Sequence, residues 1–250
     1  MSKIVADAFL GGRLRIRQPV TGYRAGSDPV FLAASVPASP GDSVLELGAG
    51  AGTALLCLMA RVPDLAVTGI DRNPGHVSLA RENLGLNQLA ATIVEADIAC
   101  MPKSVTSRRF DHVMFNPPYF DRRKGSASPE PEREGSRSSE TVMEAWIDAG
   151  LRRARPGGTL TFIQRIEHLP RMLADVGTRL GSIRVLPMQP RRSRPAKLFI
   201  LQGRKSSKGA FRLLPAIILH EGDRHLSDGG AYTEAANAIL RDAAALALDG

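Results

Sequence analysis

The sequence has only two cysteines, Cys57 and Cys100, among its 250 residues. So few thiols exclude a fold held by disulfides and indicate reduced cysteines in a cytoplasmic protein. No apolar run approaches the roughly 18 residues that cross a bilayer, and the N-terminus lacks the pattern of a signal peptide. The spacing of cysteines and histidines does not match a metal site, so we expect no bound metal. The sequence also lacks repeats, which excludes solenoids and propellers, and it gives no indication of the oligomeric state.

Charge is plentiful but unevenly distributed along the chain. The net charge is +8, and 15 Lys and Arg against two Asp and Glu lie between residues 151 and 212. Residues 1–150 are close to neutral, and the last 38 residues are acidic. A basic block of this density is typical of a surface that binds nucleic acid, although a solvated basic surface would give the same pattern.

Short apolar segments alternate with helical patterns from residue 42 onward. This alternation predicts an α/β fold in which a buried parallel sheet carries helices on both faces. Residues 183–188 and 197–202 could add an antiparallel edge pair, and residues 233–248 favour a C-terminal helix. The predicted strands are 43–47, 66–70, 91–94, 110–115 and 159–164, and the helices between them are 53–61 and 76–87.

The chain divides into an N-terminal extension, residues 1–40, and a main domain, residues 41–250. In the extension, Arg13, Arg15 and Arg17 alternate with apolar residues as in a short strand, and a helix capped by Ser27 or Asp28 follows. Residues 121–141 form a polar insertion in the main domain without any large apolar side chain. Segments of this length and composition are usually functional loops or disordered insertions.

A glycine-rich turn follows the first strand of the main domain and predicts a cofactor site. The turn reads E-x-G-x-G-x-G, which differs from the G-x-G-x-x-G of dinucleotide-binding folds. An acid directly before such a turn suits a cationic ligand better than a pyrophosphate. An acid that ends the next strand, about 20 residues on, is placed to bind ribose hydroxyls. The predicted cofactor-binding residues are Glu46, Gly48, Ala49, Gly50, Gly52, Asp71, Arg72, Asp97, Ile98 and Asn116.

The predicted catalytic residues are Asn116, Pro117, Pro118 and Tyr119, which follow the fourth strand. Ligands of parallel sheets bind beyond the carboxyl ends of the strands. The Asn116 side-chain oxygen and the Pro117 carbonyl could accept both hydrogens of an exocyclic amino group and stabilise positive charge that develops on its nitrogen. Tyr119 could stack on a base that has left its helix or loop.

Together these motifs resemble the class I S-adenosylmethionine-dependent methyltransferases. The resemblance covers residues 42–165 and implies a Rossmann-like, mostly parallel sheet of seven strands with S-adenosyl-L-methionine as cofactor. It also implies that Asp71 holds the ribose and that Asp97 and Ile98 lie near the adenine of the cofactor. The N-P-P-Y sequence resembles the motif of enzymes that methylate adenine N6, guanine N2 or glutamine N5.

Motifs towards the two ends of the chain narrow the choice of substrate. Residues 23–28, 31–34, 195–197 and 232–235 resemble parts of the bacterial adenine-N6 methyltransferases that act on a valine tRNA. This resemblance implies a tRNA substrate, with a glutamine-N5 protein methyltransferase, a guanine-N2 rRNA methyltransferase and an RNA-binding module without activity as alternatives. The expected substrate-binding residues are Arg24, Asp28, Phe120, Arg191, Arg192, Arg194 and Lys197.

Overall fold

The computed structural model describes residues 4–21, 24–118, 139–222 and 232–248. The strands are β1 (Ile4–Phe9), β2 (Leu14–Pro19), β3 (Ser43–Leu47), β4 (Ala66–Asp71), β5 (Thr92–Glu95), β6 (Phe110–Phe115), β7 (Ala154–Arg165), β8 (Leu180–Gln189), β9 (Leu198–Lys205), β10 (Arg212–Leu213) and β11 (Ile217–Ile218). The helices are α1 (Asp28–Ser35), α2 (Thr53–Arg61), α3 (Pro74–Leu86), α4 (Lys103–Thr106), α5 (Ser139–Arg153), α6 (Leu169–Val176) and α7 (Glu234–Asp242). Among these residues, no helix is both long and apolar enough to span a membrane.

One sheet contains all the strands except the β1–β2 hairpin. Its seven longer strands follow the order β5, β4, β3, β6, β7, β9, β8. The first five are parallel, and β9 runs antiparallel to both of its neighbours. The mostly parallel fold and the antiparallel edge pair are therefore confirmed. Among the described residues, the sheet also includes β10 and β11, which add two residues each to β8 beside the seven longer strands. Strands this short have no recognisable sequence period.

Helices cover both faces of the sheet because its strands are apolar on both sides. On one face, α1, α2, α3 and α7 pack in a core that includes Phe31, Leu55 and Val44. On the other face, α5 and α6 pack in a second core with Leu45, Phe162 and Trp146. Val44 and Leu45 are consecutive residues of β3, so they show directly that the strand contributes to both cores.

The parallel strands give the sheet two chemically different edges. We call the edge where β3 to β7 end the carboxyl edge, and the opposite one the amino edge. At the carboxyl edge, each parallel strand leads through a loop to the N-terminus of a helix. Ligands bind at this edge in such folds. The antiparallel strand β9 starts at the carboxyl edge and ends at the amino edge, since Leu198 pairs with Arg165 and Arg204 with Thr159.

The N-terminal residues form a hairpin and a helix that pack on the main domain. In β2, Leu14 and Ile16 are buried while the neighbouring arginines are exposed, as the alternation predicted. Helix α1 begins at Asp28, but the predicted cap is absent, because the Ser27 side chain makes no capping hydrogen bond. The backbone carbonyl of Ser27 instead accepts from Val30 and Phe31. Strand β1 had not been predicted from the sequence.

Three helices differ from the predictions in their bounds, and α3, predicted at 76–87, is shifted by only one or two residues. The predicted helix 233–248 ends at Asp242, where Ala243 adopts a left-handed conformation with φ of 58°. The following segment packs against α1, with the Leu246 N–H bonded to the Ala34 carbonyl at 2.8 Å, so tertiary contacts override its helix propensity. Helix α5 begins at Ser139, so the last three residues of the predicted insertion 121–141 are helical. The preceding residues 121–138 lie outside the described part of the chain.

Candidate active site

The glycine turn joins β3 to α2 at the carboxyl edge. Gly48, Gly50 and Gly52 have φ values of 66°, 55° and 84°, which residues with a Cβ rarely adopt. The turn is held to the neighbouring strand because the Ala49 N–H donates to the Ile70 carbonyl at 2.8 Å. It closes on itself through the Gly52 N–H, which bonds to the Ala49 carbonyl at 2.8 Å. The backbone is therefore fixed in a cradle before any ligand is bound.

Two of the glycines meet different surroundings. A Cβ on Gly48 would lie 2.3 Å from Cη2 of Trp146, so the indole of α5 packs directly under the turn. A Cβ on Gly50 would meet no atom within 4 Å. Trp146 belongs to the core, and its ring lies 5.8 Å from that of Phe115. Gly48 thus serves packing, whereas Gly50 leaves open space beside the turn.

Glu46 is a buried acid beneath this turn. It is 3% exposed, and its Oε2 accepts a hydrogen bond of 3.0 Å from the N–H of Leu55 in α2. Burial raises the pKa of Glu46 well above its usual value, the bond from Leu55 opposes this shift, and the nearby Asp71 adds to it. A buried carboxylate of this kind favours a cationic ligand, because a positive charge would offset its lost hydration.

Asp71 ends β4 and ties the turn to the start of α3. Its Oδ2 accepts from the Gly50 N–H at 2.8 Å, and its Oδ1 accepts from the Asn73 N–H at 2.9 Å. His76 Nδ1 lies 3.4 Å from Oδ1. Burial raises the pKa of Asp71, but the contacts with His76, Asn73 and Gly50 outweigh it and leave the pKa lowered. Asp71 is therefore a stable carboxylate at the rim of the site.

A cleft opens over the glycine turn and brings together part of the predicted site. Its walls include the predicted residues Glu46, Gly48, Ala49, Gly50 and Asn116. The sequence did not predict the remaining wall, to which His76 contributes from α3. The N-terminal segment covers the cleft with residues that carry no motif, namely Gln18, Pro19, Ala25 and Pro29.

Five predicted cofactor residues lie outside the lining of this cleft. Gly52 is the N-cap of α2, and Asp71 contributes through Gly50. Asp97 is exposed beyond β5, where its Oδ1 accepts from the Ala99 N–H at 2.8 Å. Arg72 is also exposed, and Ile98 packs beside the second core. All five follow the ends of β3, β4 and β5, so they lie on the same edge of the sheet as the cleft.

The Asn-Pro-Pro sequence follows β6 directly. The last residue of β6, Phe115, pairs with Leu47, so Asn116 emerges beside the start of the glycine turn. Asn116 is half-buried and lines the cleft, Pro117 is buried and Pro118 is exposed. Tyr119 and Phe120 lie outside the described residues. The structure therefore places the asparagine of the motif in the same cleft as Glu46.

The other expected substrate residues fall into two groups. Arg24 Nη2 contacts both carboxylate oxygens of Asp7, at 2.8 and 2.7 Å, and so braces the N-terminal segment. Asp28 is the first residue of α1. Arg191, Arg192, Arg194 and Lys197 all lie between β8 and β9 at the carboxyl edge. Arg191 donates to the carbonyls of Glu221 and Gly222, whereas the other three side chains are exposed.

The basic block seen in the sequence does not form one surface. Its members at 191–197 lie at the carboxyl edge, while Arg152, Arg153, Arg204 and Lys205 lie at the amino edge. The reason is topological, because the chain crosses the sheet between them in β7, β8 and β9. Over the described ranges, no cluster of three or more His, Cys, Asp or Glu side chains could hold a metal ion.

Comparison with known families decides the class of the protein. The model of the family described as "Methyltransferase small domain" matches residues 25–186. The chain belongs to this methyltransferase family. A tRNA1(Val) (adenine(37)-N6)-methyltransferase of Porphyromonas gingivalis is 31% identical over 202 residues, which cover 74% of this chain and 78% of the relative.

Solved structures agree with this membership. A predicted O-methyltransferase of Agrobacterium tumefaciens has a TM-score of 0.72 at 25% identity, with 89% of this chain and 100% of that one covered. A 16S rRNA N2 G1207 methyltransferase of Thermus thermophilus, solved with AdoMet and guanosine, has a TM-score of 0.56 at 20% identity, with 81% and 50% covered. The latter likeness concerns the fold alone.

The methyltransferase is therefore a class I enzyme that uses S-adenosylmethionine, as the resemblance implied. The residues of the cleft fit this cofactor. Glu46 is a buried acid that a cationic ligand would satisfy, and the open space beside Gly50 lets a ligand approach the backbone. Asp71 is an ionised acceptor at the rim, where ribose hydroxyls would bind.

Proposed function

We propose that this methyltransferase modifies N6 of an adenine in a tRNA. The single observation that carries the proposal is the placement of Asn116 in one cleft with Glu46 and the glycine turn. The name of the relative from Porphyromonas gingivalis supports adenine N6 and a tRNA. A tRNA substrate in turn supports a cytoplasmic enzyme.

The chemistry follows from the weakness of the nucleophile. The lone pair of an adenine amino group is delocalised into the ring, so the nitrogen attacks poorly. When bound, S-adenosylmethionine supplies an activated methyl group on a sulfonium. The Asn116 side-chain oxygen and the Pro117 carbonyl accept the two amino hydrogens, which localises the lone pair and stabilises positive charge on nitrogen. Holding the amino group in line with the methyl group supplies much of the remaining acceleration.

The two prolines suit this task. Proline has a fixed φ and no N–H group, so the backbone after Asn116 is stiff. Pro117 is buried, which holds its carbonyl in place relative to β6. The proton on the methylated nitrogen can leave after transfer, so the reaction needs no general base in the site. We assign to Tyr119 and Phe120 the stacking of the target base, from the sequence alone.

The carboxyl edge offers contacts for the rest of the RNA. Arg192, Arg194 and Lys197 are exposed between β8 and β9, on the edge where the cleft opens. Each could pair with a phosphate, so binding should weaken steeply as the salt concentration rises. We also propose that residues 1–40 act as an extension that closes the cleft, because Gln18, Pro19, Ala25 and Pro29 line it.

Incubation with methyl-labelled cofactor and a mixture of tRNA, rRNA and cell protein tests this proposal. Label in nuclease-sensitive material, recovered as N6-methyladenosine after digestion to nucleosides, is the expected result. Label in N2-methylguanosine would identify the guanine-N2 alternative. Label only in protease-sensitive material would identify the glutamine-N5 alternative and contradict an RNA substrate. Cofactor binding without any transfer would indicate an RNA-binding module.

A further inference from the structure

Basic residues from three parts of the chain lie at the amino edge of the sheet, opposite the edge where the cleft opens. Arg152 and Arg153 end α5, Arg109 precedes β6, and Arg204 and Lys205 end β9. We call these five residues the amino-edge cations. They are distant in sequence and are brought together because β6 and β7 start where the antiparallel β9 ends.

Backbone carbonyls hold most of these side chains in position. Lys205 Nζ donates to the carbonyls of Leu151 and Ala154, at 2.6 and 2.9 Å. Arg153 donates to the carbonyl of Thr106 at the end of α4. Arg204 and Arg109 also donate to carbonyls. A carbonyl is neutral, so these bonds order the cations without cancelling their charge.

Three carboxylates at this edge pair with groups other than the amino-edge cations. Asp111 pairs with Arg155 at 2.8 Å, and Asp148 pairs with Arg179. Asp42 bonds to His112 Nε2 at 3.1 Å. None of these contacts involves an amino-edge cation. Among the described residues, these carboxylates form no ion pair with an amino-edge cation.

The charges of four amino-edge cations, Arg109, Arg152, Arg153 and Lys205, act on one another. Burial and the charges of Arg109 and Arg153 lower the pKa of Lys205. Burial and the charges of Arg109 and Arg152 likewise lower the pKa of Arg153. An open cavity of about 450 Å³ lies beside them. Arg152, Lys205, Thr178 and Ser206 line it, together with the Asp148–Arg179 ion pair. Its cationic and hydroxyl groups are the donors that phosphate oxygens accept from.

We propose that the amino-edge cations bind the phosphate backbone of the RNA substrate at a second contact, separate from the target base. This inference rests on the proposed function, because it takes RNA as the substrate. β9 has eight residues and crosses the sheet from one edge to the other. At about 3.3 Å per residue, the two edges lie roughly 23–26 Å apart. A folded tRNA could contact both edges, whereas a short stem-loop held at the cleft could not.

Binding of full-length tRNA and of a short stem-loop with the target adenine tests the proposal. The test variant combines Arg109→Gln and Arg152→Gln, since both side chains are exposed. The control combines Arg81→Gln and Arg241→Gln, which removes the same charge from α3 and α7. Thermal melting and calorimetry with S-adenosylhomocysteine establish that both variants are folded and have an intact cofactor site.

The test variant should bind full-length tRNA about tenfold more weakly than the control at moderate salt. The slope of log affinity against log salt should fall by about 1.5, since each lost phosphate contact removes about 0.7–0.9. The stem-loop should bind equally well to both. Equal tRNA binding by the test variant and the control would overturn the proposal, as would equal losses for tRNA and stem-loop. These measurements of binding need no methyl transfer. A failure of this inference can therefore be distinguished from a failure of the proposed reaction.

Discussion

The backbone N–H of Gly50 donates to the carboxylate of Asp71 across 2.8 Å, and this bond joins the turn after β3 to the end of β4. Gly50 and Asp71 are 21 residues apart, yet each sets the position of the other. The bond orders the turn without a ligand. Burial raises the pKa of Asp71, but the contacts with His76, Asn73 and Gly50 together outweigh it and leave the pKa lowered. Part of the cost of organising a cofactor site is thus met when the chain folds.

Cofactor binding should release a proton from Glu46. Burial raises the pKa of this acid, so the free enzyme holds its proton to a higher pH than an exposed glutamate does. A cationic cofactor favours the carboxylate, so affinity should increase as the pH rises through the raised pKa. Calorimetry with S-adenosylmethionine in buffers of different ionisation enthalpy would measure the proton, and Glu46→Gln should abolish it.

The same shift in the pKa of Glu46 affects the stability of the free enzyme. A raised pKa means that the folded state binds more protons than the unfolded state above pH of about 4.3. The contribution of Glu46 to the free energy of unfolding therefore falls as the pH rises through this window. Glu46→Gln should flatten that part of the profile in chemical denaturation. Unchanged proton release or an unchanged profile in this variant would contradict the assignment to Glu46.

Gly48→Ala and Gly50→Ala should differ although both glycines have positive φ. The added methyl at position 48 would lie 2.3 Å from Trp146, so we expect a loss of about 2–4 kcal/mol in the free energy of unfolding. At position 50 the methyl meets open space, and only the backbone penalty of about 1 kcal/mol applies. Urea denaturation would compare them. Equal losses in the free energy of unfolding would show that Trp146 does not restrict the size of the residue at position 48.

Asn83 is a single side chain on α3 that connects the N-terminal hairpin to the glycine turn. Its amide donates to the carbonyls of Arg17 and Ala51, at 3.0 and 2.9 Å, and accepts from the Arg17 N–H at 2.7 Å. Asn83→Ala should cost about 2–4 kcal/mol, because it leaves buried groups without partners, and should also weaken cofactor binding.

Asn87→Ala, at the residue that directly follows α3, is the matched control. Asn87 bonds to the backbone of Arg15 in the same manner, but nearer to solvent and without contact to the turn. We expect a loss of about 1 kcal/mol and unchanged cofactor affinity. If both variants bound the cofactor equally well, the hairpin would not support the cleft. Denaturation and calorimetry on the two proteins give both readouts.

The sequence predicted the parallel part of the fold well because buried strands are short apolar runs between helices. Helix α2 and strands β3 and β6 have the predicted bounds. Strand β1 was missed because it alternates only between exposed and half-buried residues, so no strongly apolar face marks it. The predicted end of α7 was wrong because contacts with α1 determine the path of the chain after Asp242.

The candidate site was predicted only where a motif marks it. Glu46, the glycine turn and Asn116 follow strands in a recognisable spacing, and the structure brings them into one cleft. His76, Gln18 and Ala25 also line the cleft but belong to no motif, because long-range packing places them there. The split of the basic block between two edges likewise depends on how β7, β8 and β9 cross the sheet.

The turnover and cofactor affinity of Asn116→Ala, measured side by side on tRNA, test the central claim most directly. The account predicts that turnover falls by about two orders of magnitude or more, because an acceptor for the amino group in the transition state is lost. The dissociation constant for S-adenosylmethionine should change only a few-fold. Near-normal turnover in this variant would contradict the claim that Asn116 and Pro117 hold the reacting amino group.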